Sequence, residues 1–221
     1  MKNKKAWIYV SFFIGIVLLF WLGTFLGTNN WKKQSPILSY VQPFSFVNQN
    51  GEAFTDNDMK GKVSVVEYFF TTCQGICPKL NNNMKQVYNQ YKGNEEVQFI
   101  SHTSMPEIDS VPVLKRYADS LGADSRQWIF LTGRKDSLYQ MARRSYLLDD
   151  PTNSVKNIND QFIHTQFWAL VDKQGRVRAQ IYDGLKSNEI KKLVKQIDIL
   201  LEEEERSNPF VNNIYGNNPV Q

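Results

Sequence analysis

Hydrophobic and polar positions follow two different patterns along this chain. Ala6 to Gly27 is a run of 22 residues without a charge, whereas from Phe44 onward short apolar runs alternate with amphipathic stretches. The uncharged run is long enough to cross about 30 Å of hydrocarbon as a helix. The pattern therefore predicts a single membrane-spanning helix followed by a globular domain.

The globular part alternates predicted strands with predicted helices. Short apolar runs predict strands at residues 44–47, 63–70, 97–101, 128–131, 167–171 and 177–182. Amphipathic spacing predicts helices at residues 78–92, 109–121, 134–147 and 189–205. This alternation, closed by a β-hairpin and a last helix, predicts an α/β fold in which a mixed central sheet has helices on both faces.

Composition divides the chain into five predicted segments. They are a short N-terminus, the membrane anchor, a polar linker with two prolines, the folded domain and a tail rich in Asn and Pro. The corresponding ranges are 1–5, 6–27, 28–43, 44–205 and 206–221.

The first segment bears on the orientation of the anchor. Lys2, Lys4 and Lys5 precede the apolar run, which favours a cytoplasmic N-terminus. The alternative is a cleaved signal peptide, but this run exceeds the usual apolar length of about 7–15 residues. Trp7 and Trp21 lie near its ends, as interface anchors do. We therefore expect an uncleaved, single-pass anchor in a bacterial inner membrane, with the domain on the extracytoplasmic, periplasmic side.

The charge of the chain excludes one class of partner. The formal net charge is +4, from 26 basic and 22 acidic residues. Residues 1–33 contain five lysines and no acid, so the remaining residues carry a net charge of −1. The basic excess therefore belongs to the anchor region, and we expect no nucleic-acid partner for the folded part.

Candidate chemistry is concentrated in one short segment. Cys73 and Cys77 are the only cysteines of the chain, and they lie between the strand predicted at 63–70 and a helix opened by Pro78. Helix N-termini favour thiolate, which is both the nucleophile of disulfide exchange and a ligand of soft metals. The spacing is one residue longer than the C-x-x-C of many oxidoreductases. Two thiolates suit Cu(I), and a nitrogen ligand would also accommodate Cu(II).

The chain has two histidines that could supply this nitrogen. His164 lies just before the strand predicted at 167–171, where we expect its loop to pack against the cysteine loop. Thioredoxin-like oxidoreductases have a cis-proline at about that place, whereas residues 152–208 contain no proline. This difference favours a metal site that includes His164. His102 follows the strand predicted at 97–101 and is either an ordinary loop histidine or an auxiliary ligand.

Several alternatives remain open from the residues alone. Cys73 and Cys77 could form a purely structural disulfide. Met84 and Met105 are two further candidate soft ligands. Met84 fits the apolar face of its helix and is predicted to lie in the core. Glu67 interrupts an apolar strand, where it either borders the site or occupies an edge-facing position.

Two motifs resemble the SCO/SenC family. T-T-C-x-x-x-C-P follows a buried strand, and F-I-H-T-Q-F precedes the later hairpin. The members of this family are membrane-anchored, thioredoxin-fold proteins that handle copper for the dinuclear copper (CuA) site of cytochrome c oxidase. The resemblance spans Phe44 to Leu201. It includes P-E-I-D at 106–109, which is similar to the family's D-P-x-x-D, and V-D-K-x-G-R at 171–176.

The resemblance implies a ligand set, a function and partners. Cys73, Cys77 and His164 become ligands of copper, as Cu(I), Cu(II) or both, in a metallochaperone that is not an enzyme in the turnover sense. The implied partners are a copper-receiving oxidase subunit and other copper chaperones or thiol reductases. The alternatives are a redox sensor and a thiol–disulfide reductase that keeps a partner's copper-ligand cysteines reduced, with Cys73 as nucleophile and Cys77 as resolving thiol.

The chain departs from the family pattern at three positions. Gln74 stands where many members have proline, Met105 replaces the first acid of D-P-x-x-D, and Ile163 replaces an aspartate often found beside the histidine. None of these changes removes an implied ligand. The change beside His164 is expected to affect how that ligand is held, and with it copper affinity or redox behaviour.

Overall fold

The computed structural model describes residues 2–26, 35–149, 163 and 165–203. The chain divides into two compact units, Met1–Ser35 and Pro36–Gln221. The first unit contains helix α1 (Lys2–Leu26), and its stretch Lys5–Gly23 is the one candidate membrane span among the described residues. This span coincides with the uncharged run from which the anchor was predicted.

The second unit is an α/β domain built on a mixed sheet. Its strands are β1 (Ile37–Tyr40), β2 (Ser45–Asn48), β3 (Ala53–Thr55), β4 (Val63–Phe69), β5 (Val97–Thr103), β6 (Trp128–Thr132), β7 (Phe167–Val171), β8 (Arg176–Arg178) and β9 (Tyr182–Asp183). Its helices are α2 (Cys77–Tyr91), α3 (Val111–Leu121), α4 (Lys135–Gln140) and α5 (Ser187–Glu202). Helix α4 continues as a π-helical turn, Met141–Ser145.

The strand order explains where loops can meet. Within the described residues the sheet runs β1-β8-β7-β4-β5-β6-β2-β3, with β9 paired separately on β7. β4, β5 and β6 are parallel neighbours, and β7 is antiparallel to β4. The carboxyl ends of β4 and β5 and the beginning of β7 therefore lie at the same edge of the sheet.

Two hydrophobic cores cover the two faces of this sheet. On one face, residues of α2, α3 and α5 pack against alternate positions of β4 and β5. On the other face, residues of α4 and of the π-helical turn pack against the intervening positions. The predicted arrangement of helices on both faces is confirmed.

Some predicted boundaries differ from the structure at the margins of the sheet. Residues 37–40, inside the segment expected to be a linker, form β1 and pair with β8. The strand predicted at 44–47 is present as β2, which pairs with both β3 and β6. The sequence pattern did not predict β1, because this strand is only four residues long and has no buried position to impose an alternating pattern.

The strand predicted at 177–182 is interrupted in the structure. Ala179 adopts a positive φ of 66°, and its N–H donates to the carbonyl of Pro36 at 2.8 Å. This left-handed residue ends β8 and redirects the chain into β9, which pairs with β7. Nothing in the local sequence requires this turn, so the pattern predicted one continuous strand.

His102 is a core residue and not a loop residue, because β5 extends two positions beyond the predicted strand. Its side chain is fully buried on the face opposite α2, and its ring stacks on Tyr68 with centroids 5.0 Å apart. Its other ring neighbours are Phe44, Phe46 and Tyr146. Burial lowers its pKa to about 3, so the imidazole is neutral. The suggestions of a loop histidine and of an auxiliary ligand are both wrong.

We predict that His102→Phe raises the free energy of unfolding by about 1 kcal/mol or more. Neither ring nitrogen of His102 has a hydrogen-bond partner among the described residues, and a phenyl ring fits the same aromatic surroundings. The measurement is denaturant unfolding of the detergent-solubilised full chain, followed by tryptophan fluorescence. Tyr68→Phe is the control and should lower stability, because its hydroxyl donates to the Leu138 carbonyl at 2.7 Å. A destabilised His102→Phe would contradict this account.

Candidate metal centre

The cysteine loop joins the end of β4 to the start of α2. Cys77 is the first residue of α2 and is 4% exposed, whereas Cys73 lies in the loop and is partly exposed. Pro78 occupies the first helical turn, where its missing N–H costs no hydrogen bond. Neither cysteine forms a disulfide, so the structure is that of the dithiol state.

The surroundings of the two thiols differ in a chemically useful way. Burial raises the pKa of Cys77 to about 12, the neighbouring Cys73 thiol adds to this, and the Glu67 carboxyl contributes less. The helix N-terminus was expected to favour thiolate, but at Cys77 desolvation outweighs it. The reduced, metal-free pair therefore keeps Cys77 protonated, while Cys73 is the thiol that a partner can reach.

The start of the cysteine loop is fixed by one buried carboxylate. Asp109 is fully buried and accepts hydrogen bonds from the Thr71 hydroxyl at 2.5 Å and from the Thr71 amide at 3.3 Å. It also accepts the hydroxyl proton of Thr103, the last residue of β5, at 2.5 Å. Because Thr71 lies two residues before Cys73, these bonds tie the loop to the end of the neighbouring strand.

Glu67 lies on the face of β4 that α2 covers, so the edge-facing alternative is wrong. It is 2% exposed, and its carboxyl accepts the Ser101 hydroxyl at 2.7 Å. Burial raises its pKa to about 7, although Ser101 and the indole of Trp168 oppose this shift. Glu67 in turn raises the pKa of both Cys77 and Tyr117. Glu67 therefore borders the cysteine site on the side of β4.

His164 lies outside the described residues, but the residues on either side of it are described. Ile163 and Thr165 line a cleft of about 650 Å³, and Ile76, the residue before Cys77, lines the same cleft. Ile163 is 3% exposed, and its N–H donates to the hydroxyl of Tyr139 at 3.2 Å.

The remaining sequence candidates are distributed as follows. Cys73 and Cys77 lie together, and Met84 is fully buried in the core, as predicted. Met105 is partly exposed at the carboxyl edge of β5, where its amide donates to the Thr103 hydroxyl. Within the described part of the chain no three His, Cys, Asp or Glu side chains form a group that could hold a metal.

The structure adds site residues that sequence reasoning did not assign a role. Asp109 was quoted only as part of the P-E-I-D stretch, which is the signal that could have found it. Thr71, Thr103 and Tyr117 carry no local signal, because polar residues of these types occur in many loops and helices. Tyr139 belongs to a helix on the opposite face of the sheet, and only the tertiary structure brings it near Ile163.

We predict that Glu67→Gln removes a pH dependence of stability. A carboxyl with a pKa near 4.5 when unfolded and about 7 when folded loses its proton first in the unfolded chain. The free energy of unfolding should therefore fall as pH rises from 4.5 to 7, by about 3 kcal/mol in total. The variant should gain stability at pH 8 and nothing at pH 4.

Denaturant unfolding of the reduced, metal-free protein across pH 4–8 checks this expectation. Glu95→Gln is the matched control, because Glu95 is exposed and its substitution should leave the pH profile unchanged. Equal pH profiles for wild type and Glu67→Gln would show that folding leaves the pKa of Glu67 unchanged, which would contradict this account.

We predict that Asp109→Ala destabilises the protein by about 2–4 kcal/mol and loosens the cysteine loop. The substitution leaves the amide and hydroxyl of Thr71 and the hydroxyl of Thr103 without their acceptor. Unfolding measurements should show the loss, and Cys73 should react faster with a thiol reagent. Asp119→Ala is the control, since this exposed residue pairs with the exposed Lys115 and its loss should change stability by less than about 1 kcal/mol.

Comparison with known proteins gives the same family along most of the chain. The SCO1/SenC family model matches residues 32–199. The SCO1 protein homolog of Bacillus subtilis is 29% identical over 168 residues, which cover 74% of this chain and 84% of that protein.

Solved structures with the same fold include BsSco, a member of the Sco family of cytochrome c oxidase assembly proteins in which a disulfide switch was identified. It is 27% identical, with a TM-score of 0.65 over 78% of this chain and 100% of that one. Yeast Sco1 with copper bound is 23% identical, with a TM-score of 0.56 over 76% of this chain and 98% of that one, and supports the fold. The family match, the thioredoxin-like architecture and the cysteine motif agree, and the chain belongs to the SCO1/SenC family.

Proposed function

We propose that this protein is a membrane-anchored copper metallochaperone that assists assembly of the CuA centre of a respiratory cytochrome c oxidase. One observation carries the proposal. The reduced pair Cys73 and Cys77 lies at the start of α2, and the residues flanking His164 line the cleft that Ile76 also lines. Two sulfurs and one imidazole from these segments would form a three-ligand site for copper as cargo.

The donor set suits copper in both oxidation states. Thiolates favour Cu(I), and an added imidazole nitrogen accommodates Cu(II). Metal binding requires thiolate, so copper would displace the proton that burial retains on Cys77. The copper-bound structure of yeast Sco1 supports this assignment at the level of the family.

Release of copper can be coupled to thiol oxidation. Exchange with a disulfide of a partner protein would join the sulfurs of Cys73 and Cys77. Their two electrons reduce the partner's disulfide, which takes up two protons from solvent to give two thiols. The new S–S bond removes both thiolate ligands, so copper leaves. The disulfide switch identified in BsSco supports such a cycle.

A thiol–disulfide reductase is the second candidate, and the unequal burial of the pair favours it. Cys73 is partly exposed and could attack a partner's disulfide, while Cys77 is buried and could resolve the mixed disulfide. In this case the partner would be an oxidase subunit whose copper-ligand cysteines must be reduced. A redox sensor would use the same exchange with a different partner.

The proposed location follows from the N-terminal residues. Helix α1 is the candidate span, and Lys2, Lys4 and Lys5 favour a cytoplasmic N-terminus. We place the domain on the extracytoplasmic, periplasmic side of the bacterial inner membrane. A copper-receiving oxidase subunit at the same membrane would be the partner, with other copper chaperones or thiol reductases as donors.

We predict that the reduced, detergent-solubilised full chain binds one Cu(I) tightly, and that His164→Ala weakens this binding by at least tenfold. Removing the imidazole leaves two thiolates, which still close and open as a disulfide. Anaerobic titration of Cu(I) against a competing chelator measures the affinity. Cys73→Ser should abolish tight binding because it removes one of the two sulfur ligands.

The rival functions predict different properties for the same variants. A reductase should retain thiol–disulfide exchange in His164→Ala and lose it in Cys73→Ser. A purely structural disulfide predicts that both cysteine variants lose about 2–5 kcal/mol of stability without loss of any activity. Absence of competitive Cu(I) binding by wild type would overturn the chaperone proposal.

A further inference from the structure

The hydroxyl group of Tyr139 connects the two sides of the candidate site. It accepts a hydrogen bond from the N–H of Ile163 at 3.2 Å and donates one to the carbonyl of Ser104 at 3.0 Å. Tyr139 is fully buried in α4, on the face of the sheet opposite the cysteines. The residue that follows Ile163 in the chain is His164.

The connection continues from Ser104 to the cysteine loop. Ser104 lies just after β5, and its N–H donates to the carbonyl of Phe69 at 2.8 Å. Its hydroxyl reaches the same carbonyl at 3.3 Å. Phe69 is the last residue of β4 and lies four positions before Cys73. A continuous series of hydrogen bonds therefore runs from Ile163 through Tyr139 and Ser104 to the end of β4, where the cysteine loop begins.

The ring of Tyr139 is itself held in place. The Nζ atom of Lys135 lies 5.6 Å from the ring centroid, and the guanidinium carbon of Arg143 lies 5.5 Å from it. Both cations are attracted by the ring's electrons, and close packing of the core leaves the ring little freedom. The hydroxyl is thus a fixed point from which Ile163 can be held.

We propose that Tyr139 is a positioning residue for His164, acting through the backbone of Ile163. The inference rests on the proposed function, since His164 has this role only if copper is bound. The side chain of Ile163 is apolar and 3% exposed, so it can offer no hydrogen bond to a neighbouring imidazole. Two restraints hold Ile163 in place. Its side chain is buried, and its N–H donates to the hydroxyl of Tyr139.

The expected consequence of losing the hydroxyl is a change at the metal and not only in the core. Removal of groups that orient metal ligands typically lowers metal affinity by about 10–100-fold. If the hydroxyl had a merely structural role, its loss would change the free energy of unfolding and leave the copper affinity unaltered. These two roles can be separated by experiment.

We predict that Tyr139→Phe lowers the Cu(I) affinity of the reduced full chain by about tenfold. The substitution keeps the ring and its two cations and removes the hydroxyl alone. Tyr68→Phe is the matched control, because Tyr68 is also buried and its hydroxyl donates to the Leu138 carbonyl, with no hydrogen bond to Ile163 among the described residues. Tyr68→Phe should retain wild-type Cu(I) affinity, measured by the same chelator competition.

A double-mutant cycle with His164→Ala tests whether Tyr139 acts through that histidine. In the His164→Ala background, Tyr139→Phe should change Cu(I) affinity less than twofold. In the Cu(II) form, Tyr139→Phe should weaken or broaden the nitrogen hyperfine coupling in the electron paramagnetic resonance spectrum, and Tyr68→Phe should not. An equal loss of affinity in both backgrounds would overturn the proposal.

Failure of this inference is distinguishable from failure of the proposed function. If wild type binds no Cu(I), the chaperone function is wrong. If wild type binds and His164→Ala weakens binding, but Tyr139→Phe equals wild type, only the positioning role is wrong. Should Tyr139→Phe not fold, hydrogen exchange of the Ile163 amide in the wild-type protein decides. Slow exchange supports the hydrogen bond from Ile163 to Tyr139 on which the positioning role depends, and exchange at the unfolded rate overturns the proposal.

Discussion

The parallel pairing of β4 with β5 is the constraint on which the rest of the site depends. Seven residue pairs are in register, from Val63 with Val97 to Phe69 with Thr103. This register brings the cysteine loop and the loop after β5 to the same edge, where Asp109 can bind Thr71 and Thr103 together. A shift by one residue would move every side chain of β4 to the other face and separate these partners.

Burial controls the chemistry of the groups that this register assembles. Cys77 begins α2 and Glu67 lies on the face of β4 that α2 covers, and desolvation is the largest cause of the raised pKa of each. Glu67 also contributes to the raised pKa of Cys77, because a second negative charge in an apolar environment is costly.

The fold could be predicted largely from the sequence, because its main elements are strongly periodic. The buried strands β4 to β7 and the helices α2, α3 and α5 have apolar positions that repeat with the period of the element. The sequence failed where local pattern does not decide the structure. β1 is short and exposed, and the turn at Ala179 depends on a bond to Pro36 from a distant segment.

The sequence by itself determined the candidate membrane span, the alternation of strands and helices, and the cysteine pair at a helix start, because these depend on composition and on residues close together in the chain. It also indicated the family, from motifs around Cys73, Cys77 and His164. The tertiary structure decided which face each polar residue occupies. It buries His102 in the core and Glu67 on the face of β4 that α2 covers. It also brings the hydroxyl of Tyr139 within hydrogen-bond distance of the Ile163 amide. Such contacts join residues far apart in the chain, and only sheet register and packing select them.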